Sequence, residues 1–348
     1  MSNSSIISMI TDISDHEVLN ADNLVIHSNV IVWTICLSLI TVLANLGTII
    51  AFWKVKSLGE KPADLLILSL AFIDLFQGLI MLPFHMSLDI LDGRWIWGEL
   101  GCKFYVPMAL ASITNGLLIL CTISLDRLLL VKLQYPKYMK FQSKPRVLLA
   151  ISICWLLSLV PAVIDVGFWE YAKSLNNSVP INFDFVCLSP TRWMMPKVSL
   201  VFLFTFFFMP VFLVAVFSLS FLHALHLRLQ KIRRVGPEDE IAMPNSNSST
   251  TGSMSSGKRL QRSRNRYIKP AMTLGALVAA MCVSILPYLS YVVVVGLICP
   301  TCLNPLAVHY LVFLLYLTPL LDPIMYGITE SKLRKFYVSC FKRLIKRR

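Results

Sequence analysis

The segment 121-CTISLDRLLLV-131 places an aspartate and an arginine side by side within an apolar run. Ionised side chains at the centre of a membrane-spanning helix cost about 2.5–3.5 kcal/mol each, unless they pair or reach water. Asp126 lies 24 residues after Cys102, and a helix of that length covers about 36 Å, slightly more than the hydrocarbon core of a bilayer. The segment therefore predicts a transmembrane helix with the Asp126–Arg127 pair at one membrane surface. On spacing alone, a simple interface pair without a switching role stays open.

The whole chain is unusually apolar, with 348 residues, 56% of them hydrophobic, and a mean hydropathy of +0.68. This composition indicates an integral membrane protein and argues against a soluble domain. Segments of about 20 or more mostly apolar residues are candidate spans. They predict an all-α membrane protein, a seven-transmembrane helix bundle, with spans at 29–53, 64–88, 102–133, 147–168, 197–226, 268–297 and 306–327.

The positive charges lie on one side of the predicted bundle. Of the 32 Lys and Arg residues, 27 fall in the segments 54–63, 127–146, 227–269 and 332–348. Cytoplasmic loops carry such an excess, so we expect the N-terminus to be extracellular in a multi-pass protein of the plasma membrane. The net charge of +13 then meets anionic lipid of the bilayer, and no nucleic-acid partner is expected. Residues 1–28 lack the pattern of a cleaved signal peptide.

The chain divides into three regions: an extracellular tail over 1–28, the bundle over 29–327, and an amphipathic helix with a basic cytoplasmic tail over 328–348. Within the bundle, the Ser-, Asn- and Gly-rich segment 236–264 predicts a flexible cytoplasmic loop. Cys340 in the last region is a candidate palmitoylation site, although a plain basic tail stays open there. Asn3 and Asn176 lie in outward-facing glycosylation sequons.

Four of the nine cysteines fall on the oxidising side of the predicted membrane. Cys102 opens the third span, and Cys187 lies in the long outer loop before the fifth. Cys299 and Cys302 share one short loop. We therefore predict the disulfides Cys102–Cys187 and Cys299–Cys302, and no metal site.

The motifs along all seven spans resemble those of the rhodopsin-like G-protein-coupled receptors, and the spacing is most similar to the amine receptors, especially the histamine-like ones. The matching residues are Asn45, Asp74, Trp95, Gly98, Cys102, Asp126, Arg127, Trp155, Cys187, Pro210, Pro287, Asp322, Pro323 and Tyr326. The resemblance implies a receptor without catalytic activity, in which an extracellular ligand biases a helix bundle that couples to a heterotrimeric G protein.

The resemblance also implies roles for individual residues. Asp126 would hold Arg127 in the inactive state and release it to the G protein. The other switch positions would be Pro287, Asp322, Pro323 and Tyr326. Asn45, Asp74 and Asp322 would form a buried pocket for a weakly bound sodium ion. A carboxylate in mid-span, such as Asp74, independently indicates an ion or proton site. No other cofactor is expected.

Several positions depart from the family pattern. The amine receptors carry an aspartate in the outer third of span three, where this chain has Ala109. Tyr267 stands where an acidic residue often opposes the arginine, and Ser218 stands where span five usually has a tyrosine. Thr318, Pro319 and Gly116 replace polar groups of the sodium pocket. We therefore expect weak sodium binding and high basal activity. Tyr316 stands at the position where opsins carry their retinal-binding lysine, which argues against an opsin.

The predicted ligand pocket faces inward from the outer halves of the spans. Asp89 and Asp165 are the acids best placed to replace the missing counter-ion, and His85 shares a helical face with Asp89. As alternatives, Asp165 faces loop water, and His85 and Asp89 form a pair on the outer rim. The pocket residues are His85, Asp89, Tyr105, Ala109, Leu110, Ile113, Asp165, Phe202, Phe206, Tyr288, Leu289 and Tyr316.

These observations favour a receptor for a small organic ligand. A receptor of the same fold for a peptide or a lipid stays open, as does a non-signalling or constitutively active relative. The sequence has no G-x-S-x-G or H-E-x-x-H motif, which argues against an enzyme. A transporter that uses Asp74 and Asp322 for proton transfer also stays open.

Overall fold

The computed structural model describes residues 21–91, 94–133, 135–174, 187, 201–235, 256–298 and 305–346. Within these ranges, seven helices are long and apolar enough to cross a membrane, which confirms the predicted bundle. The spans, numbered one to seven below, are Ile31–Lys54, Asp64–Leu88, Gly98–Lys132, Lys144–Tyr171, Val201–Ile232, Tyr267–Val295 and Tyr310–Thr329.

Two helices begin earlier than the sequence predicts. The first helix runs Ala21–Lys54, so residues 21–28 of the predicted tail are helical. The sixth runs Ser256–Ile298, so residues 256–264 of the predicted flexible loop are helical as well. The segment after Ser256 is rich in Lys, Arg, Gln and Leu, which are good helix formers. Hydropathy locates the membrane-embedded part of a helix, whereas these extensions continue beyond it.

The other helices show where prolines disturb the backbone. The second span consists of Asp64–Phe76, a π-helical segment Gln77–Met81 just before Pro83, and Leu82–Ile90. A similar π-helical segment, Phe204–Phe208, precedes Pro210 in span five and leads into the helix Met209–Val235. Proline removes a backbone donor and clashes with the preceding turn, and wider turns accommodate that clash.

The remaining helices complete the bundle. Span three is the helix Gly98–Lys132, a short loop helix follows at Tyr135–Phe141, and span four lies in Lys144–Ser174. Span seven is divided at Tyr316 into Pro305–Leu315 and Leu317–Thr329. The helix of span six continues through Pro287, and the second half of span seven continues through Pro323.

Span three is the centre of the bundle, because it packs against spans two, four, five and six. Its inner two thirds contribute to the main hydrophobic core together with spans two, five and six. Its outer end contributes to a second cluster with Trp95, Trp169 and Tyr316. Span four presents an apolar outer surface, with Leu156 67% and Val163 68% exposed. Such surfaces suit hydrocarbon, since helices satisfy their own backbone groups.

A terminal helix over Ser331–Lys346 confirms the predicted amphipathic segment. Leu333 is fully buried, and the hydroxyl of Tyr337 lies 2.6 Å from that of Thr48 in span one. The ring of Tyr337 packs 3.4–3.6 Å from the positions that a side chain would take at Gly47 and Gly327. The ring of Tyr337 thus lies directly against spans one and seven, at a distance that is ordinary van der Waals contact for an added Cβ. Cys340 on this helix is an unpaired, half-buried cysteine.

Candidate functional site

The inner end of the bundle is organised around the carboxylate of Asp126. The guanidinium of Arg127 donates to Asp126 Oδ2 at 3.1 Å. The hydroxyl of Tyr138 donates to Asp126 Oδ1 at 2.9 Å, and Gln142 Nε2 donates to the same oxygen at 2.6 Å. Hydrogen bonds to ionised groups are short and about twice as strong as neutral ones. Asp126 and Arg127 are therefore held together at the end of span three by a network, rather than by their mutual attraction alone.

The loop helix Tyr135–Phe141 brings Tyr138 to this network. Tyr138 is only 4% exposed. Burial raises the pKa of the Tyr138 phenol, and the charge of Asp126 raises it further. The phenol is therefore protonated at physiological pH and remains a donor to Asp126.

Sequence reasoning missed Tyr138 and Gln142 as members of this site. They are four residues apart in the short segment between Pro136 and Pro145, a spacing that places two side chains on the same face of a helical turn. That spacing was the available signal. The approach of the turn to Asp126 depends on the path of the loop, which no local pattern predicts.

The inner end of span six carries Tyr267 and no acidic group among the described side chains. Tyr267 is fully buried, and the guanidinium of Arg228 from span five lies 5.9 Å from its ring centroid. In the part of the chain that the structure describes, the ion-pair partner of Arg127 is Asp126, and Arg127 Nε is buried without a hydrogen-bond partner. The contact of Arg228 with the Tyr267 ring joins spans five and six at this end by a cation–π interaction.

A polar pocket lies halfway along the bundle, and it brings the three predicted ion-pocket residues together. Asn45 Nδ2 donates to the backbone oxygens of Thr41 at 3.0 Å and Pro319 at 2.8 Å. Asp74 and Asp322 are buried side by side, 3% and 4% exposed.

Some polar atoms of this pocket have no hydrogen-bond partner. They are Asn45 Oδ1, Asp74 Oδ2 and the hydroxyl of Tyr326, all buried. Oxygen atoms of this kind fit a hard cation or a bound water. Thr318, one of the departures from the family pattern, instead contacts Ser284 of span six, with 2.5 Å between the two hydroxyl oxygens.

At the outer end, spans two, three and seven meet in a chain of buried polar groups. His85 Nδ1 lies 3.3 Å from the hydroxyl of Tyr105, which lies 3.4 Å from the hydroxyl of Tyr316. The three residues are 4%, 9% and 5% exposed. His85 therefore faces the interior of the bundle, and the alternative of a rim position is wrong. Phe313 packs edge-on against the His85 ring at a centroid distance of 5.1 Å.

Aromatic rings cover this chain of polar groups. Phe84 lies within 6 Å, between ring centroids, of Trp95, Trp97 and Tyr105. Cys102 is buried beneath the rings, and its disulfide to Cys187 confirms that predicted pairing. The outer loop is thereby attached to the start of span three.

Asp165 lies in the interior of the protein rather than in loop water. Its side chain is 1% exposed and accepts a hydrogen bond of 3.3 Å from Trp169 Nε1. The alternative that Asp165 faces loop water is therefore wrong. An acidic group is thus buried at the outer end of span four, next to Trp169, which belongs to the same cluster as Tyr105.

The predicted pocket residues divide between the two hydrophobic clusters. Tyr105, Ala109 and Tyr316 belong to the outer cluster. Leu110, Ile113, Phe206, Tyr288 and Leu289 belong to the main core. The rings of Phe202 and Phe206 pack at a tilt of 56°, with 5.0 Å between their centroids. The Asp89 side chain and the residues Asn3, Asn176, Cys299 and Cys302 lie outside the part of the chain that the structure describes.

Comparison with known proteins agrees with this geometry. The family described as 7 transmembrane receptor (rhodopsin family) matches residues 44–326. The chain is 25% identical to 5-hydroxytryptamine receptor 1B of Equus caballus, over 86% of this chain and 83% of the relative. It is 34% identical to dopamine receptor 2 of Caenorhabditis elegans over 37% of this chain, which is 15% of that protein.

It is also 35% identical to the probable G-protein coupled receptor No9 of Amphibalanus amphitrite, over 36% of this chain. The matched segment covers 25% of that relative. This chain therefore spans well under two thirds of the length of two of these three relatives.

Proposed function

Because this chain belongs to the rhodopsin family of seven-transmembrane receptors, we propose that it converts the binding of an extracellular ligand into activation of a heterotrimeric G protein. The observation that carries the proposal is the network at the inner end. Arg127 is paired to Asp126, and Asp126 accepts three further hydrogen bonds from Tyr138 and Gln142. Breaking this network would release Arg127 toward a partner. A movement of the helices supplies the required two states.

The proposal includes an orientation. The segments that hold most of the Lys and Arg residues flank the end that carries Asp126 and Arg127, and an excess of positive charge is a feature of cytoplasmic loops. The N-terminus is then extracellular, and the His85–Tyr105–Tyr316 chain lies at the ligand side. The G protein meets the opposite end.

For the ligand, we propose a small organic molecule. Two of the compared relatives are named as receptors for serotonin and dopamine, and the outer cluster offers aromatic faces that attract cations. Ala109 has no charge to pair with an ammonium group. The buried Asp165 next to Trp169 is the described acid that would take this role. Asp74, Asp322 and Asn45 would hold a sodium ion or a proton in mid-bundle.

The test is nucleotide exchange by a panel of purified G proteins on membranes that contain the chain without ligand. We expect exchange above that of empty membranes for at least one G protein, and its loss in Arg127→Ala. The matched control is Arg94→Ala, because Arg94 is an exposed arginine at the outer end.

If the unmodified chain shows no exchange, the same assay is run on Asp126→Asn, which frees Arg127 without ligand. Exchange in that background that disappears on adding Arg127→Ala would support the proposal. An absence of exchange in both backgrounds, with the protein folded, would contradict it.

A further inference from the structure

Among the described residues, the network around Asp126 does not extend to span six. Its donors Arg127, Tyr138 and Gln142 belong to span three and to the loop segment that follows it. The ion-pair partner of Arg127 in this part of the chain is its own neighbour Asp126. Rearranging the network therefore frees Arg127, whereas the position of span six at this end depends on other contacts.

The contact of Arg228 with Tyr267 connects span six to span five. The guanidinium carbon of Arg228 lies 5.9 Å from the ring centroid of the fully buried Tyr267. Leu225 and Ile232 share the helical face of Arg228, and both belong to the same buried core cluster as Tyr267. A cation–π interaction is stronger where apolar neighbours exclude water. The half-buried Arg228 therefore makes this contact in surroundings that strengthen it.

The helix of span six is weakened just after Tyr267. Pro270 lies inside the helix Ser256–Ile298, where it removes a backbone hydrogen bond and clashes with the preceding turn. Three residues further on, the hydroxyl of Thr273 donates to the backbone oxygen of Lys269 at 3.3 Å, and side-chain bonds of this kind often bend helices. Prolines are also the usual positions of helix kinks. The inner segment of this helix, residues 256–269, is thus joined to the rest of span six at a point that bends at a small cost.

Electrostatic repulsion opposes the close approach of this inner segment to span five. Six of the residues 256–269 are Lys or Arg, four of the residues 228–235 are as well, and neither range contains an acid. Like charges at the ends of neighbouring helices repel each other. Tyr267 lies three residues before Pro270, on the inner segment, and gives Arg228 an attractive contact there. The contact therefore works against the repulsion on the inner side of the weak point.

We propose that Tyr267 is a positioning residue of the switch: its contact with Arg228 holds residues 256–269 against span five, and loss of the contact lets this segment turn outward about Pro270. The consequence for signalling rests on the proposed function, because the turned segment would uncover the end where Arg127 meets the G protein. The movement itself requires neither a ligand nor a G protein. It is therefore measured separately from signalling.

The test measures distances between two spin labels by double electron–electron resonance on the full chain in phosphatidylcholine nanodiscs. The labels are attached to p-acetylphenylalanine introduced at the exposed positions Lys144 and Gln261, so the native cysteines stay in place. Tyr267→Leu and Arg228→Gln should each raise the ratio of the longer to the shorter distance by about tenfold. Tyr267→Phe and Arg228→Lys keep a ring and a cation, and should preserve the distribution of the unmodified chain. The matched control, Lys231→Gln, removes an exposed cation from span five close to Arg228.

A second pair of labels locates the hinge, and nucleotide exchange relates the movement to signalling. Met272 is exposed and lies beyond Pro270, so labels at Lys144 and Met272 should keep their distance in Arg228→Gln. The same variant without labels should raise ligand-free exchange about as much as it raises the longer distance. If the distances change as expected and no variant supports exchange, the contact holds the segment and the proposed function is wrong.

Four results would overturn the proposal. An unchanged distance between positions 144 and 261 in the folded Arg228→Gln variant would mean that the contact does not hold the segment. An equal change in Lys231→Gln would mean that total charge decides the position. An equal change between positions 144 and 272 would mean that Pro270 is not the hinge. A change in Tyr267→Phe as large as in Tyr267→Leu would mean that the ring does not carry the contact. If Tyr267→Leu fails to fold, Arg228→Gln decides the test, because it removes no buried core side chain.

Discussion

The buried polar groups near the two ends of the bundle are held by different kinds of hydrogen bond. At the inner end, a carboxylate accepts bonds of 2.6–3.1 Å from Arg127, Tyr138 and Gln142. At the outer end, the side chains of His85, Tyr105 and Tyr316 are 3.3–3.4 Å apart. Charge-assisted bonds are shorter and about twice as strong. The groups around Asp126 therefore hold one another more firmly than the His85–Tyr105–Tyr316 chain does, and that chain is the one that a bound molecule rearranges at a smaller cost.

The two ends also differ at one family position each, Asp126–Arg127 at the inner end and Ala109 at the outer end. Asp126 and Arg127 occupy the family's positions and form the expected pair. Ala109 stands where the amine receptors carry an aspartate, so span three offers no charge at that position of the outer end. The proposed receptor thus combines the family's Asp–Arg pair at the G-protein end with a ligand site that lacks the aspartate of the amine receptors.

The largest change is expected when the outer end loses its disulfide. Cys102→Ala with Cys187→Ala removes a link between residues 85 positions apart, and such links contribute about 2–4 kcal/mol to stability. We expect a clearly lower midpoint of thermal unfolding in detergent. Cys36→Ala, which removes an exposed, unpaired cysteine, is the control. A double variant as stable as this control would show that the disulfide does not stabilise the outer end.

Neutralising one acid at each end tests the comparison directly. Asp126→Asn weakens hydrogen bonds that involve a charged group, worth about 1.5–3 kcal/mol each, and should raise ligand-free nucleotide exchange by about tenfold or more. Asp165→Asn at the outer end should leave ligand-free exchange unchanged, because Asp165 bonds to Trp169 and not to Arg127. If both variants raised exchange equally, the two ends would not differ as argued.

The layer between the two ends depends on close packing of spans one and two. A Cβ at Gly78 would lie 2.8 Å from Thr41 Cγ2 and 3.2 Å from Thr41 Cβ, and the β-branched Thr41 has little freedom to move. We expect Gly78→Ala to cost about 1–3 kcal/mol. In Gly116→Ala the added Cβ meets no atom within 4 Å, so its unfolding midpoint should stay near that of the unmodified chain. Equal midpoints for the two variants would contradict this account.

The smallest effects are expected from removing one hydroxyl at either end, because the other partners in each group remain in place. A bond to the ionised Asp126 is worth about 1.5–3 kcal/mol, and a bond between uncharged groups about 0.5–1.5 kcal/mol. Tyr138→Phe removes a donor to Asp126 and should raise ligand-free exchange a few-fold. Tyr105→Phe removes the hydroxyl between His85 and Tyr316 and should leave ligand-free exchange unchanged. A rise in Tyr105→Phe as large as that in Tyr138→Phe would show that the outer groups also restrain the switch.

Much of the fold could be predicted from the sequence because a bilayer imposes strong rules on it. All seven spans, the amphipathic terminal helix and the Cys102–Cys187 disulfide are present in the structure. The helix ends were less predictable, as the early starts at Ala21 and Ser256 show. Hydropathy measures contact with lipid, and a helix in water is stabilised by its propensity and packing instead.

The candidate site was predictable in its parts but not in its arrangement. The sequence identified Asp126, Arg127, Asp74 and Asp322 as ionisable residues within apolar spans. Such residues are costly in a membrane and are rare there unless they have a functional role. It left open whether His85 and Asp165 face the interior, and it missed Tyr138 and Gln142. Their roles depend on how separate segments meet.

Composition and periodicity were thus sufficient for the number of spans, the distribution of charge and the identity of the polar residues within the spans, since each follows from the contact of one segment with lipid or water. The partners of those polar residues come from elements far apart in the chain, as with Asn45 and Pro319 or Ser284 and Thr318. Which side chains meet depends on the rotation and tilt of whole helices against one another. These are set by packing across the bundle, and only the tertiary structure reveals them.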